Sequence, residues 1–198
     1  MKRKIIRVAT VPVTLELVLK GQLSYLNQYF VVVAVSGNGP DIQIVEERED
    51  VRVVVINMKR EISLLNDLYS LCRFIFLLNK ERPFIVHANT PKGSLLAMLA
   101  AKIVKVPHRI YTVTGLRFET EKGIKRWLLL TMERLCCKAA SKVIPEGNGV
   151  KSTMVRNRIT DKPLKVIGNG SISGVDMEYF SREQVPDAVQ QLLRRRHR

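Results

Sequence analysis

Seven short runs of the 198-residue chain are apolar at successive rather than alternating positions: 4–9, 30–35, 51–56, 84–87, 109–113, 142–145 and 164–167. They are rich in Val and Ile, which suits a pleated strand. A strand that is apolar on both sides must be covered on both sides, the condition of a parallel sheet with helices on its two faces. Parallel neighbours also need a crossover long enough for a helix. Helical windows are read at 14–28, 63–80, 91–104, 122–139 and 148–157. Within 63–80, Leu64, Leu65, Leu68, Leu71, Cys72, Ile75 and Leu78 follow the three-and-four spacing of one buried face. Strand and helix alternating this often predict an α/β fold: a doubly wound, mostly parallel Rossmann-like sheet with right-handed crossovers.

The composition agrees with a folded domain. Hydrophobic residues make up 46% of the chain and charged residues 26%, so the chain can bury a core and is not of the disordered class. Residues 1–167 form the Rossmann-like domain in this reading. The stretch from 168 to 198 opens with the loop GNGSISG and continues into a terminal helical segment from Val185-Pro186-Asp187 to the RRRHR end. Cys72, Cys136 and Cys137 have no metal-ligand spacing and suggest no disulfide framework, which points to a reducing compartment. The opening MKRKIIRVATVPV has a positive start and an apolar run, but it contains Pro12 and no small-residue cleavage site, so a buried first strand explains it. No apolar stretch is long enough to span a bilayer.

The formal net charge is +15. The four arginines of the terminal RRRHR account for only part of it, so the basic character belongs to the domain and calls for an anionic partner: nucleic acid, acidic lipid or a phosphorylated ligand.

In an open doubly wound sheet, ligands bind beyond the carboxyl ends of the strands, near the point where strand order reverses. The turn after the first strand, with Thr10 before the helical window and Gly21 within it, is not G-x-G-x-x-G, and no G-x-x-x-x-G-K-[ST] occurs. A classical dinucleotide enzyme or P-loop ATPase is therefore disfavoured. After the fourth strand comes His87-Ala88-Asn89-Thr90-Pro91-Lys92. Thr90 reads as an N-cap with Pro91 at the first helical position, which would aim amides into the crevice. Lys92 in that first turn opposes the helix dipole, and such a placement suggests an anionic ligand. The bland alternative is a capped helix with a solvated lysine. His87, at a strand end, reads first as a hydrogen-bonded structural histidine and only secondarily as a catalytic candidate. After the fifth strand, Thr114, Gly115, Arg117 and Glu119 place a turn and both charge signs at the same edge. The following helix opens with Lys122, Lys125, Arg126 and Trp127, a pattern that suits either a core-packing amphipath or contact with an anionic membrane surface.

The run VHANTPKGSLLAMLAAKIVKVPHRIYTVTGLRFET, residues 86–120, resembles the N-terminal domain of family 4 glycosyltransferases of capsular polysaccharide and O-antigen assembly. TVPVTLELVLKGQLSYL, MKREISLLNDLYSL and IGNGSISGVDMEYF fall in the same family order, so the resemblance covers residues 4 to about 180. It implies one half of a GT-B enzyme, whose N-terminal domain receives the acceptor and whose C-terminal domain binds the nucleotide sugar. The expected partners are then a lipid-linked saccharide acceptor, an anionic membrane surface, and a nucleotide sugar only with a second domain. No cofactor, no metal and no nucleic acid are expected, and the expected location is cytoplasmic, at the inner face of the membrane. Retention at the anomeric carbon is likewise implied by the family. The candidate acceptor or phosphate residues are Thr10, Gly21, Asn89, Thr90, Lys92, Thr114, Gly115, Arg117 and Glu119. Thr114 stands where the family often has histidine, which leaves the catalytic residue unassigned, with His87 the nearest substitute. The carboxylate-rich donor segment of the family lies beyond residue 198, so the chain alone is expected to be inactive. Two other readings stand beside this one: a nucleic-acid-binding α/β module, which rests on charge and which the 6% aromatic content does not favour, and a partner-interaction domain that serves a separately encoded donor-binding subunit.

Overall fold

A computed structural model describes residues 2–59, 63–174, 177, 178 and 181. The terminal helical segment and the arginine tail lie outside these residues. The sheet holds the strands β1 (Lys4–Val8), β2 (Val31–Ser36), β3 (Arg52–Val55), β4 (Ile85–Ala88), β5 (His108–Val113) and β6 (Lys142–Pro145). All pairings are parallel and the order is β3-β2-β1-β4-β5-β6. The chain thus grows outward from β1 to β3, crosses back, and grows outward again from β4 to β6. The reversal falls between β1 and β4.

The α-helices are α1 (Gln22–Asn27), α2 (Asp41–Glu49), α3 (Leu64–Glu81), α4 (Pro91–Ile103), α5 (Gly123–Ala139) and α6 (Asn148–Arg156). Two cores lie on opposite faces of the sheet, as the period of two along each strand requires. Ile6, Val8, Val33 and Val35 point to the core shared with Phe74 and Leu78 of α3, most of α4, and Leu130 and Cys137 of α5. Ile5, Val32 and Ala34 point to the other core with Leu15, Leu23 of α1 and Val45 of α2. The seventh run, 164–167, forms no strand. Its residues alternate between half-buried and exposed, with Leu164 packed on the core, so a single side chain docks without a ladder. The chain then returns to the end of β6, where Ser171 donates its amide to the Glu146 carbonyl at 2.9 Å.

Three helical readings change. The window 14–28 divides into a π-helical turn, Thr14–Val18, and α1. The break is at Gly21, whose φ of 72° is costly for any residue with a Cβ, and whose amide donates to Glu49 Oε1 at 2.9 Å. Ser24 donates its amide to the other oxygen at 3.1 Å, so a carboxylate from α2 caps α1 and starts it afresh. α2 itself has little apolar signal, burying Val45 and Glu49; a parallel β2–β3 pair nevertheless needs a crossover there. In α3 the buried line is Ser70, Phe74, Leu77 and Leu78. Leu64, Leu65 and Leu68 are exposed, with Leu71 and Ile75 at the flank. The Ser70 hydroxyl hydrogen-bonds the Asn57 carbonyl at 2.7 Å, which holds that line inward.

Candidate functional site

Three turns meet at the carboxyl end of the sheet, and side-chain hydroxyls tie them together. The Thr10 amide, after β1, donates to Thr90 Oγ1 at 2.8 Å, and the two threonine hydroxyls lie 2.8 Å apart. Thr90 occupies the N-cap position of α4 with extended φ and ψ and Pro91 follows at the first helical position, but the Thr90 hydroxyl makes no cap bond to its own helix. Thr10 supplies it instead: the Gly93 amide donates to Thr10 Oγ1 at 3.1 Å. The first turn of α4 is therefore capped from the neighbouring strand. A Cβ at Gly93 would lie 2.9 Å from Thr90 Oγ1 and 3.2 Å from Thr10 Oγ1, so this close approach requires glycine. Thr114, after β5, donates its hydroxyl to the Asn89 carbonyl at 2.9 Å.

The knot borders a crevice of about 360 Å³ lined by Thr10, Thr14, Thr90, Lys92 and Arg117 among others. It sits at the reversal of strand order, where an open α/β sheet accepts ligands. Of the residues read from sequence, Thr10, Thr90, Lys92 and Arg117 are thus brought together, and Asn89 with Thr114 lies in the adjoining turns. Lys92 is buried and pairs with Asp67 of α3 at 2.7 Å, which replaces the solvated lysine of the bland alternative. Asn89 is buried, and its Oδ1 has no hydrogen-bond partner. Gly115 has open space around its Cα. Glu119 points to α6, accepting the Thr153 hydroxyl at 3.0 Å. Gly21 does not join the crevice lining; its amide serves the Glu49 cap.

His87 lies within β4, with Nε2 2.8 Å from Thr112 Oγ1 on β5. It pairs in register with Arg7 of β1. Burial, then the Arg7 charge, hold the imidazole well below its ordinary range, so it is neutral at physiological pH. Arg7 is fully buried, and burial pulls its guanidinium to about 9. Nη2 reaches Gln22 Oε1 at 2.7 Å, while Nε and Nη1 are unpaired.

A second, smaller cavity of about 40 Å³ shares Pro91, Lys92 and Arg117 with the crevice and extends between α4 and α5. Leu95, Phe118, Leu129 and Met132 make its apolar walls, and Glu133 and Cys136 also line it. Sequence reading passed over Glu133, which occupies a position of α5 spaced for the core. Its Oε1 is buried without a partner, and the Tyr111 hydroxyl hydrogen-bonds the carboxyl. Burial pushes this carboxyl up to about 7 against the lowering effect of that hydrogen bond. Burial, with Glu133 beside it, also holds the Cys136 thiol well above its usual range, so it is no thiolate nucleophile. The larger groove, about 970 Å³ with Lys2, Arg3, Arg82 and Lys105, opens at the amino end of the sheet, away from the strand ends that hold ligands.

At the start of α5, Lys125 pairs with Glu121 at 2.7 Å. Arg126 lies over the Phe118 ring and donates to Asn157 Oδ1 at 2.8 Å. Trp127 is exposed, together with Lys122, Ile124, Leu128 and Leu135. Among the described residues no helix is long and apolar enough to cross a membrane, and no group of three His, Cys, Asp or Glu could hold a metal ion.

The chain is 36% identical over 180 residues to the capsular polysaccharide biosynthesis glycosyltransferase CapM of Staphylococcus aureus, covering 90% of this chain and 46% of that protein. It is 34% identical over 129 residues to the UDP-Gal:alpha-D-GlcNAc-diphosphoundecaprenol alpha-1,3-galactosyltransferase of Escherichia coli, covering 62% of this chain and 31% of the relative. The chain thus spans less than half the length of these curated relatives. Among solved structures, a glycosyltransferase from Rickettsia africae superposes with a TM-score of 0.66 at 18% identity, over 99% of this chain and 50% of that one. The UDP-GlcNAc 2-epimerase from Neisseria meningitidis does so with a TM-score of 0.60 at 18% identity, over 85% and 46%. At such identities the likeness concerns the fold, which hosts more than one chemistry. The sequence match is the narrower finding: residues 27–170 fit the model of the glycosyl transferase 4-like domain, and the chain belongs to that family.

Proposed function

We propose that this chain is the acceptor-binding half of an enzyme that transfers a sugar from a nucleotide sugar to a lipid-linked saccharide. The observation that carries the reading is the crevice at the β1–β4 reversal, where Thr10, Thr90, Lys92 and Arg117 converge in a family 4 domain. Hydroxyls suit a sugar. A guanidinium at the rim suits the diphosphate that joins such a sugar to its lipid. The named relatives act in capsule assembly and on a diphosphoundecaprenol-linked acceptor, which supports this class of acceptor here. A neutral His87 bound to Thr112 orients the β4–β5 edge in this account, and no catalytic base is assigned to it.

The acceptor's lipid implies a membrane nearby. Lys122, Ile124, Trp127 and Leu128 at the start of α5 form the docking stripe in this proposal, their exposed apolar groups entering the interface beside a cation. In this proposal the donor nucleotide is bound by a second domain, as the part of the curated relatives' length that this chain does not match leaves room for. Calorimetric titration with a monosaccharide on a short prenyl diphosphate tests the reading. Binding that Arg117→Ala weakens about ten-fold, the scale of one charge-assisted hydrogen bond, is expected. Absence of binding, or affinity unchanged by Arg117→Ala, would contradict it.

A further inference from the structure

α3 is apolar on two faces. Phe74, Leu77 and Leu78 turn to the core beside Ser70. Leu65, Leu68, Tyr69, Cys72 and Phe76 recur at three-and-four spacing on the opposite side. There Leu65 is 85% exposed, Leu68 59%, Tyr69 62% and Phe76 71%, with Cys72 exposed between them. From 65 to 76 this line runs about 16 Å along the helix axis. A surface helix ordinarily turns charge outward, so a continuous line of large apolar side chains marks a surface that a partner covers. The charges of α3 indicate which partner. Both of its acids are engaged with other elements: Asp67 pairs with Lys92 of α4, and Glu81 with Lys4 and Arg52. Its two cations, Arg73 and Lys80, are exposed. They are seven positions apart, so both fall along one edge of the apolar line.

We propose that this outward face of α3 lies in the headgroup layer of an anionic bilayer, with Leu65, Leu68, Tyr69 and Phe76 entering the acyl boundary and Arg73 and Lys80 meeting lipid phosphates. The inference deepens the membrane part of the reading above and rests on it for the presence of a bilayer. A second copy of the chain is the competing occupant. Two α3 faces packed antiparallel about a two-fold axis would set their cation-bearing edges against each other, with neither acid of the helix on that edge, on chains whose formal net charge is +15. An anionic lipid surface turns the same charges into attraction. α4 packs against both α3 and α5 on one face of the sheet, so the outward line of α3 and the exposed start of α5 belong to one helix layer, and docking uses both. The Asp67–Lys92 pair ties the start of α3 to the first turn of α4 at the crevice. Docking through α3 therefore holds the crevice near the layer from which a lipid-linked acceptor is presented.

Cys72 supplies the readout, because it sits within the line and the other two cysteines are buried. A solvent-sensitive fluorophore on Cys72 is expected to shift to the blue with vesicles containing phosphatidylglycerol, and to be quenched there by a spin label carried near the lipid headgroup. Phosphatidylcholine alone should produce neither change. In the unlabelled chain, Leu68→Ser with Phe76→Ser should weaken partitioning into the phosphatidylglycerol vesicles at least about ten-fold, the scale of withholding one large apolar side chain from an apolar phase. Arg73→Gln should weaken it about five-fold. Melting should stay unchanged, since all three side chains are exposed. Sedimentation with vesicles while the Cys72 probe keeps its aqueous spectrum, or partitioning unchanged in the double variant, overturns the α3 face and leaves α5 standing. A blue shift without vesicles, accompanied by a dimer in sedimentation equilibrium, gives the face to a second copy and overturns the proposal as well. Absence of vesicle binding by the unaltered chain overturns docking by α3 and α5 together, while acceptor binding, read by calorimetry with a soluble probe, stands or falls separately.

Discussion

At the scale of single residues, burial decides the chemistry. Glu133 sits in the fold with its carboxyl raised from 4.5 to about 7. The folded chain therefore holds a proton that the unfolded chain has released, and stability falls as pH rises from about 4.5 through 7. Glu133→Gln removes that dependence. Relative to the unaltered chain it should gain up to roughly 3 kcal/mol at pH 8 and little at pH 4.5; urea denaturation at the two values measures the difference, and an equal effect at both would contradict it. Glu49 behaves oppositely. Burial raises its carboxyl, but the Gly21 and Ser24 amides and Arg48 outweigh burial and lower it, so its contribution is present at neutral pH and fades as pH falls through its folded value. Glu49→Ala should cost about 1–2 kcal/mol at pH 7, the worth of a helix cap, and less in acid. Thr10→Val removes the hydroxyl that caps α4 and meets Thr90, so a loss of about 1–2 kcal/mol is expected in the same assay.

At the scale of elements, the knot between turns makes the crevice rigid, and it shows where sequence reading succeeds and fails. Pro91 at the first position of α4 was legible because proline chemistry is local. That Thr10 rather than Thr90 caps the helix was not, because Thr10 and the Gly93 amide it caps are 83 positions apart in the chain. In α3 two helical lines compete: the leucine line 64, 65, 68 satisfies the spacing rule, yet the line through Ser70 and Phe74 is buried. Periodicity gives a helix a buried face, whereas its partners select which face. The end of α5 illustrates the same point. Its last carbonyls are met by the Lys162 ammonium, which hydrogen-bonds Cys137 and Ala140 from beyond α6, a C-terminal cation placed as the helix dipole favours. Two predictions belong here. Gly93→Ala brings a Cβ into the Thr10–Thr90 pair and should cost about 1–3 kcal/mol on thermal or urea unfolding. Trp127→Glu, at a solvent-exposed position, should leave melting unchanged but abolish sedimentation with vesicles of anionic phospholipid; sedimentation that persists would remove α5 from the docking surface.

At the scale of the whole molecule, strand order, charge and crevice converge. The apolar runs were enough to specify a parallel α/β sheet, since only burial on both faces accounts for strands like 31–36. The reversal between β1 and β4 then places the ligand edge without reference to any motif. Resemblance along residues 86–120 added the family, which the fit to a glycosyl transferase 4-like domain bears out. Glu133 stayed invisible because its significance lies in a cavity that α4, α5 and the turn after β5 enclose jointly. The central claim is that the crevice receives the acceptor, and cross-linking tests it most directly. A short-prenyl diphosphate sugar bearing a diazirine, irradiated on the chain and mapped by mass spectrometry, should label residues within 9–14, 89–95 and 114–120. Labelling should be competed by the unmodified acceptor and not by a nucleotide sugar. Adducts confined to the basic groove at the amino end of the sheet, around Lys2, Arg82 and Lys105, or competition by the nucleotide sugar alone, would contradict the account.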